Sequence, residues 1–405
     1  MSTEEKQNDL LTGIRILDLA DETAVTCTKL LADLGARVIK VEKPGSDAAR
    51  KSGPFLESSP PQEHSLSFCY NNTNKLGITL NLEHPEGKNI FLRLVKQYDV
   101  VVESFQPGYL DDLGLGFDAL CRAHYEIILA SITGFGQTGP RKAYKSCDLV
   151  ASAVGGRMFV TGSPDSVPLN IFGEQSFFTA SLNGAIGILL ALRRRSQRKK
   201  GEHIDISLQE AVTSTLENVL VRYFYDGVVP QREGNLHWNR LFCILPCRDG
   251  FIQVTLFHQW GTLVEWMAED GMAEDLGDEK WEDEDYRLDH IDHVIEVMGR
   301  WTRTRKTHEL FETGQLMHFP WAPVQSPQDL LSNPQFNDRD FFVEVDHPEI
   351  NRTIKYPGLP YQFSSVFPTS VKRAPFIGEN NKQILSEELG ISDDELRRLS
   401  SEGVI

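Results

Sequence analysis

The hydrophobic positions of the first 45 residues follow the periods of a strand, a helix and a second strand. Residues 13–19 are largely apolar, with Asp18 near their end, and predict a buried strand, and residues 36–42 predict a second strand. A helical pattern lies between them over 24–34 and ends at Gly35, a residue that commonly ends helices. This order within about 30 residues predicts a βαβ unit, which builds parallel sheets.

The same alternation continues along the chain and predicts an α/β fold with a parallel sheet. The further predicted elements are strands at 77–82, 99–104, 127–132 and 203–208, and helices at 85–97, 209–225 and 383–399. In such sheets, ligands bind at the loops beyond the carboxyl ends of the strands. Lys43, Ser104 and the loop after Ile132 occupy such positions. A G-x-G-x-x-G fingerprint is missing from the first turn, so NAD binding is not expected.

The densest apolar stretch begins at Phe177 and continues to Leu192. Its apolar residues are too closely spaced for a one-sided stripe, and small residues such as Gly184 allow close backbone approach, so we expect a buried helix. Glu174 precedes it beside Gly173. The positive end of a buried helix would keep this carboxylate ionised and oriented, which suits a nucleophile. An isolated Gly-Glu at such a place is more typical of simple electrostatic capping, and only the surrounding chain changes that interpretation.

Length and composition limit the classes of protein that remain. The 405 residues exceed one compact core, and shifts in composition divide the chain into 1–226, a small domain at 227–330, and a return at 331–405. The net charge of −17 argues against nucleic acid or an anionic membrane as partner. An N-terminal signal pattern is missing, and we expect a cytoplasmic protein. His290 and His293 lack a third ligand at a readable spacing, so a metal site is not expected.

Several motifs along residues 13–220 resemble class III CoA-transferases, the formyl-CoA transferase and acyl-CoA racemase group. Together they form one colinear series, which is more specific than any single motif. The segments that carry the resemblance are 17–19, 31–45, 81–87, 107–114, the T-G-F-G-Q-T-G-P stretch at 133–140, 147–151 and 169–192.

The resemblance implies a Rossmann-like large domain built from both ends of the chain, a smaller inserted α+β domain, and two interlocked chains. It also implies CoA as a thioester substrate and no permanently bound cofactor. In this family a carboxylate at the position of Glu174 attacks an acyl-CoA thioester to give a mixed anhydride. CoA then returns to form an enzyme thioester, and an acceptor carboxylate takes the CoA; nearby NH groups stabilise the oxyanions.

The resemblance also assigns CoA-binding positions along the chain. These are Thr23, Ala24, Lys43, Leu80, Asn81, Leu82, Ser104, Phe105, Gln106, Lys145, Cys147 and Asp148. A structural role is the alternative at each, for example a core position for Leu80 and Leu82 or a helix cap for Asp148.

The sequence departs from the family pattern at several of these places. The usual nucleophile is aspartate, and the extra methylene of Glu174 moves the carboxylate by on the order of 1 Å. Gln106 stands where an arginine is expected, and Asp112 replaces a basic phosphate contact. Cys147 stands where the racemase branch has histidine, which makes racemase chemistry improbable.

The sequence and its departures from the family pattern leave two functions open. In the first, the chain moves CoA between carboxylic acids, either through Glu174 or as one of two related chains whose partner supplies the aspartate. Heteromeric benzylsuccinate CoA-transferases that use succinyl-CoA are one group that it resembles. In the second, the chain is a noncatalytic scaffold or regulator that keeps the fold.

Overall fold

The structure, a computed structural model, describes residues 10–45, 49–56, 65–236, 240–364 and 371–405. By its internal packing the chain divides into two units. The large unit comprises residues 1–158, 170–229 and 340–405, and the small unit comprises residues 159–169 and 230–339.

The first part of the large unit alternates strands and helices. Its strands are β1 (Arg15–Leu19), β2 (Arg37–Glu42), β3 (Leu76–Thr79), β4 (Val100–Glu103), β5 (Ile128–Thr133) and β6 (Glu202–Ser207). Its helices are α1 (Val25–Asp33), α2 (Leu66–Asn71), α3 (Pro85–Val95), α4 (Tyr109–Asp112), α5 (Phe117–Ala123), α6 (Asp148–Val154), α7 (Gln175–Arg198), α8 (Leu208–Thr213) and α9 (Glu217–Asp226).

The six strands form one parallel sheet in the order β3-β2-β1-β4-β5-β6. The strand order reverses between β1 and β4, which creates the crevice where doubly wound sheets bind ligands. One face of the sheet packs against α3, α5 and the C-terminal helices through Leu17 and Leu129, and the other packs against α1 and α7 through Ile16 and Ile132. The predicted α/β class with a parallel sheet is confirmed.

The small unit has its own aromatic core. It contains the antiparallel strands β7 (Phe242–Pro246), β8 (Phe251–Thr255) and β9 (Ala322–Pro323), and helices α10 (Trp260–Glu269), α11 (Glu284–Asp289), α12 (Ile291–Thr302), α13 (Thr307–Leu316), α14 (Pro327–Ser332) and α15 (Pro334–Asp338). Trp266 packs against Trp301 and Trp321 at its centre. This mixture of helices and a small sheet matches the predicted α+β unit.

The C-terminal segment returns to the large unit and covers the edge of its sheet. It contains the hairpin β10 (Phe342–His347) and β11 (Arg352–Pro357), followed by α16 (Asn381–Leu389) and α17 (Asp393–Ser401). The side chains of Asn380 and Asn381 accept hydrogen bonds from the NH groups of Gly77 and Thr79 in β3. An otherwise open edge strand is therefore satisfied by the end of the chain.

Two expectations about helices need correction. The helix predicted over 209–225 is broken between α8 and α9, where the hydroxyls of Ser214 and Thr215 bond to the carbonyls of Ala211 and Val212. Such local bonds compete with helix continuation. The helix predicted over 383–399 likewise divides where Gly390 adopts a positive φ.

Helix α7 is buried on one face only, so the expectation of a fully buried helix is wrong for the single chain. Gly184 does allow close packing, because a Cβ there would lie 2.7 Å from Ile132 of β5. On the other face Phe178, Ile186 and Leu190 are exposed. By length and apolar composition alone α7 could cross a membrane, but 44% of its most apolar stretch is buried inside the chain.

Candidate active site

A cavity of 230 Å³ lies beyond the carboxyl ends of β1, β2, β3 and β4, beside the point where the strand order reverses. It is lined by Leu19, Ala20, Asp21, Val41, Glu42, Lys43, Leu80, Asn81, Leu82, Glu83, Phe105 and Tyr109. Five of the predicted CoA-binding residues are in this lining: Lys43, Leu80, Asn81, Leu82 and Phe105. The position is the one that the strand-end rule favours.

Hydrogen bonds join the turns after β1 and β4 across the crevice. The Asp21 NH donates to Ser104 Oγ at 2.9 Å, and that hydroxyl donates to Asp21 Oδ1 at 2.7 Å. The Thr23 NH also donates to Asp21 Oδ1. Ala24 is fully buried behind this turn. The predicted residues Thr23, Ala24 and Ser104 therefore hold the turns beside the cavity, and they are absent from its lining.

A buried charge cluster supports the turn after β1 from below. Asp18 and Lys75 are both fully buried, and their charged groups lie 2.9 Å apart. The Thr28 hydroxyl donates to Asp18 at 2.6 Å, and the Lys40 ammonium donates to the carbonyl of Ala20. Burial lowers the pKa of Lys75 to about 8 against the attraction of Asp18. Burial opposes the charge of Asp18 too, but Lys75 and Lys40 outweigh it and lower its pKa.

Apolar and polar groups divide the cavity wall. Leu80 and Leu82 are almost fully buried and belong to the hydrophobic core, so only their edges reach the cavity. Phe105 packs against Tyr109 with ring centroids 4.8 Å apart. Asn81 is fixed by the C-terminus, because its NH donates to the carbonyl of Val404 at 2.8 Å. The wall therefore offers apolar edges beside fixed polar groups.

Gln106, the next predicted residue, lines a second cavity of 270 Å³ instead. Glu103 is buried in its wall and accepts hydrogen bonds from the Phe105 NH and from the side chain of Gln137. Burial raises the pKa of Glu103 to about 7, although the Ser131 hydroxyl and the Phe105 NH favour the charged form. This carboxyl fixes the turn that carries Phe105 into the first cavity.

The remaining predicted residues form a separate group at the starts of α6 and α7. Lys145 and Cys147 are exposed, and Cys147 directly precedes α6. Asp148 accepts hydrogen bonds from the Ser176 NH at 2.8 Å and from the side chain of Asn170 at 2.9 Å. Asp148 thus caps the first turn of α7 from a neighbouring helix. Neither Lys145, Cys147 nor Asp148 lines the first cavity.

Glu174 directly precedes α7, and its side chain makes no capping hydrogen bond. Its side chain is exposed in the single chain and is not part of the cavity lining. Partial burial and the negative charge of Asp148 raise its pKa. This direction is opposite to the effect expected of the helix dipole, and Asp148 already accepts the hydrogen bond of the Ser176 NH in the first turn of α7.

Sequence reasoning missed seven of the twelve residues that line the first cavity, among them Asp21, Glu83 and Tyr109. Asp21 follows β1 by two positions, so the strand-end rule could have identified it. Glu83 follows the predicted Leu82 directly. Tyr109 reaches the cavity only because the 105–109 turn folds back, for which the sequence carries no separate signal.

The fold and the cavity define a doubly wound α/β protein with a cavity at its switch point, joined to a small α+β unit. The family model for CoA-transferase family III matches residues 11–381. The chain is 34% identical to succinyl-CoA:(R)-benzylsuccinate CoA-transferase subunit BbsE of Thauera aromatica, over 92% of this chain and 93% of that protein. It is 33% identical to the succinyl-CoA:mesaconate CoA-transferase of Haloarcula hispanica, over 93% and 96%.

A solved structure shows the same architecture. The crystal structure of a CAIB/BAIF family protein from Brucella suis matches with a TM-score of 0.86 and 29% identity, over 94% of this chain and 100% of that one. The chain therefore belongs to CoA-transferase family III, and the resemblance identified from its motifs is confirmed.

Proposed function

We propose that this chain is a subunit of a CoA-transferase that moves CoA from succinyl-CoA to a carboxylic acid of the benzylsuccinate type. The main support is that five residues at which the resemblance places CoA contacts line one cavity at the strand ends. The donor is suggested by the names of two relatives, both of which are succinyl-CoA-dependent transferases. The acceptor is suggested by the first of them.

Glu174 is the carboxylate that this chain offers for covalent catalysis. Its oxygen would attack the thioester carbonyl, the C–S bond would break, and the CoA thiolate would leave. The thiolate would then attack the glutamyl carbonyl of the anhydride, release the donor acid and give an enzyme thioester. The acceptor carboxylate would attack the carbonyl carbon of that enzyme thioester, the C–S bond would break, and the thiolate would leave a second mixed anhydride. The thiolate would then attack the acceptor's carbonyl in this anhydride, which gives the acceptor acyl-CoA and frees the Glu174 carboxylate. A raised pKa makes this carboxylate more nucleophilic once it is ionised.

A second chain would complete the surface around Glu174. Phe172 is 98% exposed, and Phe178 and Leu190 are exposed on the same part of the chain. Apolar surface of this extent is typical of protein interfaces. We therefore propose a cytoplasmic dimer, either of two copies or with a related chain, in the interlocked arrangement that the family resemblance implies.

The alternative is that the chain has a supporting role without catalysis, and two observations favour this alternative. Glu174 is exposed and outside the cavity lining. In addition, Lys43, the cation of the cavity, is already paired with Glu83. In this alternative a related partner chain supplies the nucleophile.

Exchange assays with the purified chain separate the two roles. Succinyl-CoA and benzylsuccinate are supplied to the wild type, to Glu174→Ala, and to Glu387→Gln as a control that alters an exposed glutamate of α16. We expect exchange by the wild type and the control and its loss in Glu174→Ala. Hydroxylamine trapping followed by mass spectrometry should find the adduct on the peptide that contains Glu174.

Other outcomes assign the chain differently. Exchange that survives Glu174→Ala excludes Glu174 as the nucleophile. Exchange that appears only with a co-purified related chain, with the adduct on that chain, gives this one the supporting role. The absence of exchange in both arrangements contradicts the proposed function.

A further inference from the structure

Glu83 and Lys43 form an ion pair at the wall of the strand-end cavity. Their charged atoms lie 2.9 Å apart, and both side chains are about half exposed. Tyr109 donates a hydrogen bond from its hydroxyl to the other oxygen of Glu83 at 3.1 Å. The hydrogen bonds from Lys43 and Tyr109 lower the pKa of Glu83, so it is ionised at neutral pH.

The turn that carries Glu83 is held by several contacts. The Glu83 NH donates to Asn81 Oδ1 at 3.0 Å, which is a typical Asx-turn bond. Helix α3 starts two residues later and packs so closely that a Cβ at Gly87 would lie 1.9 Å from the carbonyl oxygen of Asn81. Since the backbone is fixed in this way, the Glu83 carboxylate is directed to Lys43 by the fold.

The charges of the cavity wall oppose an anionic ligand. Among the lining residues in the described part of the chain, Lys43 is the only lysine or arginine, whereas Asp21, Glu42 and Glu83 are acidic. Arg50 binds Glu42 through two hydrogen bonds of 2.6 and 2.8 Å from behind the wall. Among the residues that the structure describes, the ion-pair partner of Glu83 is Lys43, and the whole chain carries a net charge of −17.

We propose that Glu83 is a specificity-determining residue that competes with the phosphates of CoA for Lys43, and that its negative charge sets the affinity of this chain for CoA. The inference rests on the proposed function. A CoA phosphate that binds the Lys43 ammonium has to share it with the Glu83 carboxylate or displace that carboxylate. The pantetheine arm carries no charge, so its binding does not depend on the ion pair between Lys43 and Glu83.

Removing the charge of Glu83 should therefore strengthen CoA binding. Glu83→Gln keeps an acceptor for Tyr109, and we expect CoA to bind about fivefold more tightly at low salt, which corresponds to about 1 kcal/mol for one unit charge at 4 Å in water. The gain should shrink at high ionic strength, because salt screens exposed charges. Lys43→Gln added to Glu83→Gln should abolish the gain.

Titration calorimetry with CoA, adenosine 3′,5′-bisphosphate and pantetheine tests the inference on the whole chain. Glu86→Gln is the matched control, because it removes the same charge three residues further on from a glutamate that pairs with Arg398 outside the cavity. We expect Glu83→Gln, and not Glu86→Gln, to bind CoA and the bisphosphate more tightly, with pantetheine binding unchanged.

The opposite results are equally clear. Equal CoA affinities for Glu83→Gln and Glu86→Gln overturn the inference and leave the proposed function intact. An equal gain for pantetheine also overturns it, because the effect would then not concern phosphate. Folded variants and wild type that all fail to bind CoA contradict the proposed function, and with it the inference.

Discussion

The strand-end cavity and the start of α7 hold the two halves of the predicted site, and they differ in how completely one chain builds them. Each charged residue that lines the cavity has a partner: Asp21 with Ser104, Glu42 with Arg50, and Lys43 with Glu83. At the start of α7, by contrast, Glu174 makes no capping bond and apolar side chains around it are exposed.

This difference separates the part of the proposed site that binds the ligand, the strand-end cavity, from the part that carries the proposed nucleophile, the start of α7. Parallel strands bring their carboxyl ends to one edge of the sheet, so the cavity is a direct product of the fold of a single chain. The start of α7 depends on whatever covers its exposed face. Variants that test packing should therefore have large effects near the cavity and small effects at Glu174.

Breaking the buried pair below the cavity should have the largest effect. Lys75→Met leaves Asp18 buried without its ammonium partner, and we expect the free energy of unfolding to fall by about 3–5 kcal/mol. Urea unfolding followed by circular dichroism measures this loss. The double variant Asp18→Asn with Lys75→Met removes both charges and should recover most of it. A loss below about 1 kcal/mol in the single variant would show that the cluster does not support the fold.

The second largest effect on the free energy of unfolding should come from Glu103, and this effect depends on pH. Its pKa is raised to about 7, so the folded chain binds this proton more tightly than the unfolded chain, in which glutamate titrates near its ordinary value. Unfolding then releases a proton between these two pKa values, and rising pH destabilises the fold. The groups that face Glu103 are the carboxylates of Asp21 and Asp111, the Ser131 hydroxyl and the Gln137 amide.

Glu103→Gln should remove this dependence. Relative to the variant, the wild type should lose about 3 kcal/mol in free energy of unfolding as pH rises from about 5 to about 8. Unfolding curves of both proteins across that range measure the difference, with Glu387→Gln as a control that should follow the wild type. A difference that stays constant with pH would mean that Glu103 is ionised throughout.

Thr28→Val should have a smaller effect than Lys75→Met or Glu103→Gln. Its hydroxyl donates to Asp18 at 2.6 Å and accepts from Lys75 at 2.8 Å, in a fully buried position. Thr28→Val removes both bonds while keeping the shape, and we expect a loss of about 1–2 kcal/mol in unfolding free energy. Thr26→Val is the control, since that hydroxyl bonds to the neutral, half-buried Asn71 and should cost less. Equal losses would argue against a special role for the buried cluster.

The parts of the fold that the sequence predicted are those with local signals. The largely apolar segments 13–19 and 36–42 predict two strands, and β1 and β2 lie inside those ranges. The break between α8 and α9 was missed because the hydroxyl bonds of Ser214 compete with the helix without changing its hydrophobic period.

The candidate site was predictable to the extent that strand ends position it. Lys43 and Phe105 could be placed in the cavity because each follows a strand of the sheet. The pairing of Lys43 with Glu83 joins two such ends across the sheet and has no signature within either segment. The sequence could not predict that one face of α7 is exposed in the single chain. The apolar content of a helix does not reveal whether a face packs within its own chain or against another chain.

Glu174 should have the smallest effect on stability. It is exposed, makes no capping bond, and its pKa is raised by partial burial and by Asp148, so its charge does not stabilise the fold. We expect Glu174→Gln to leave the free energy of unfolding within about 0.5 kcal/mol of the wild type. The thermal midpoint measured beside CoA exchange then separates the two roles. Lost exchange with unchanged stability assigns Glu174 to the chemistry, whereas a loss above about 1.5 kcal/mol would make it a structural cap of α7, despite the bonds that Asp148 already supplies.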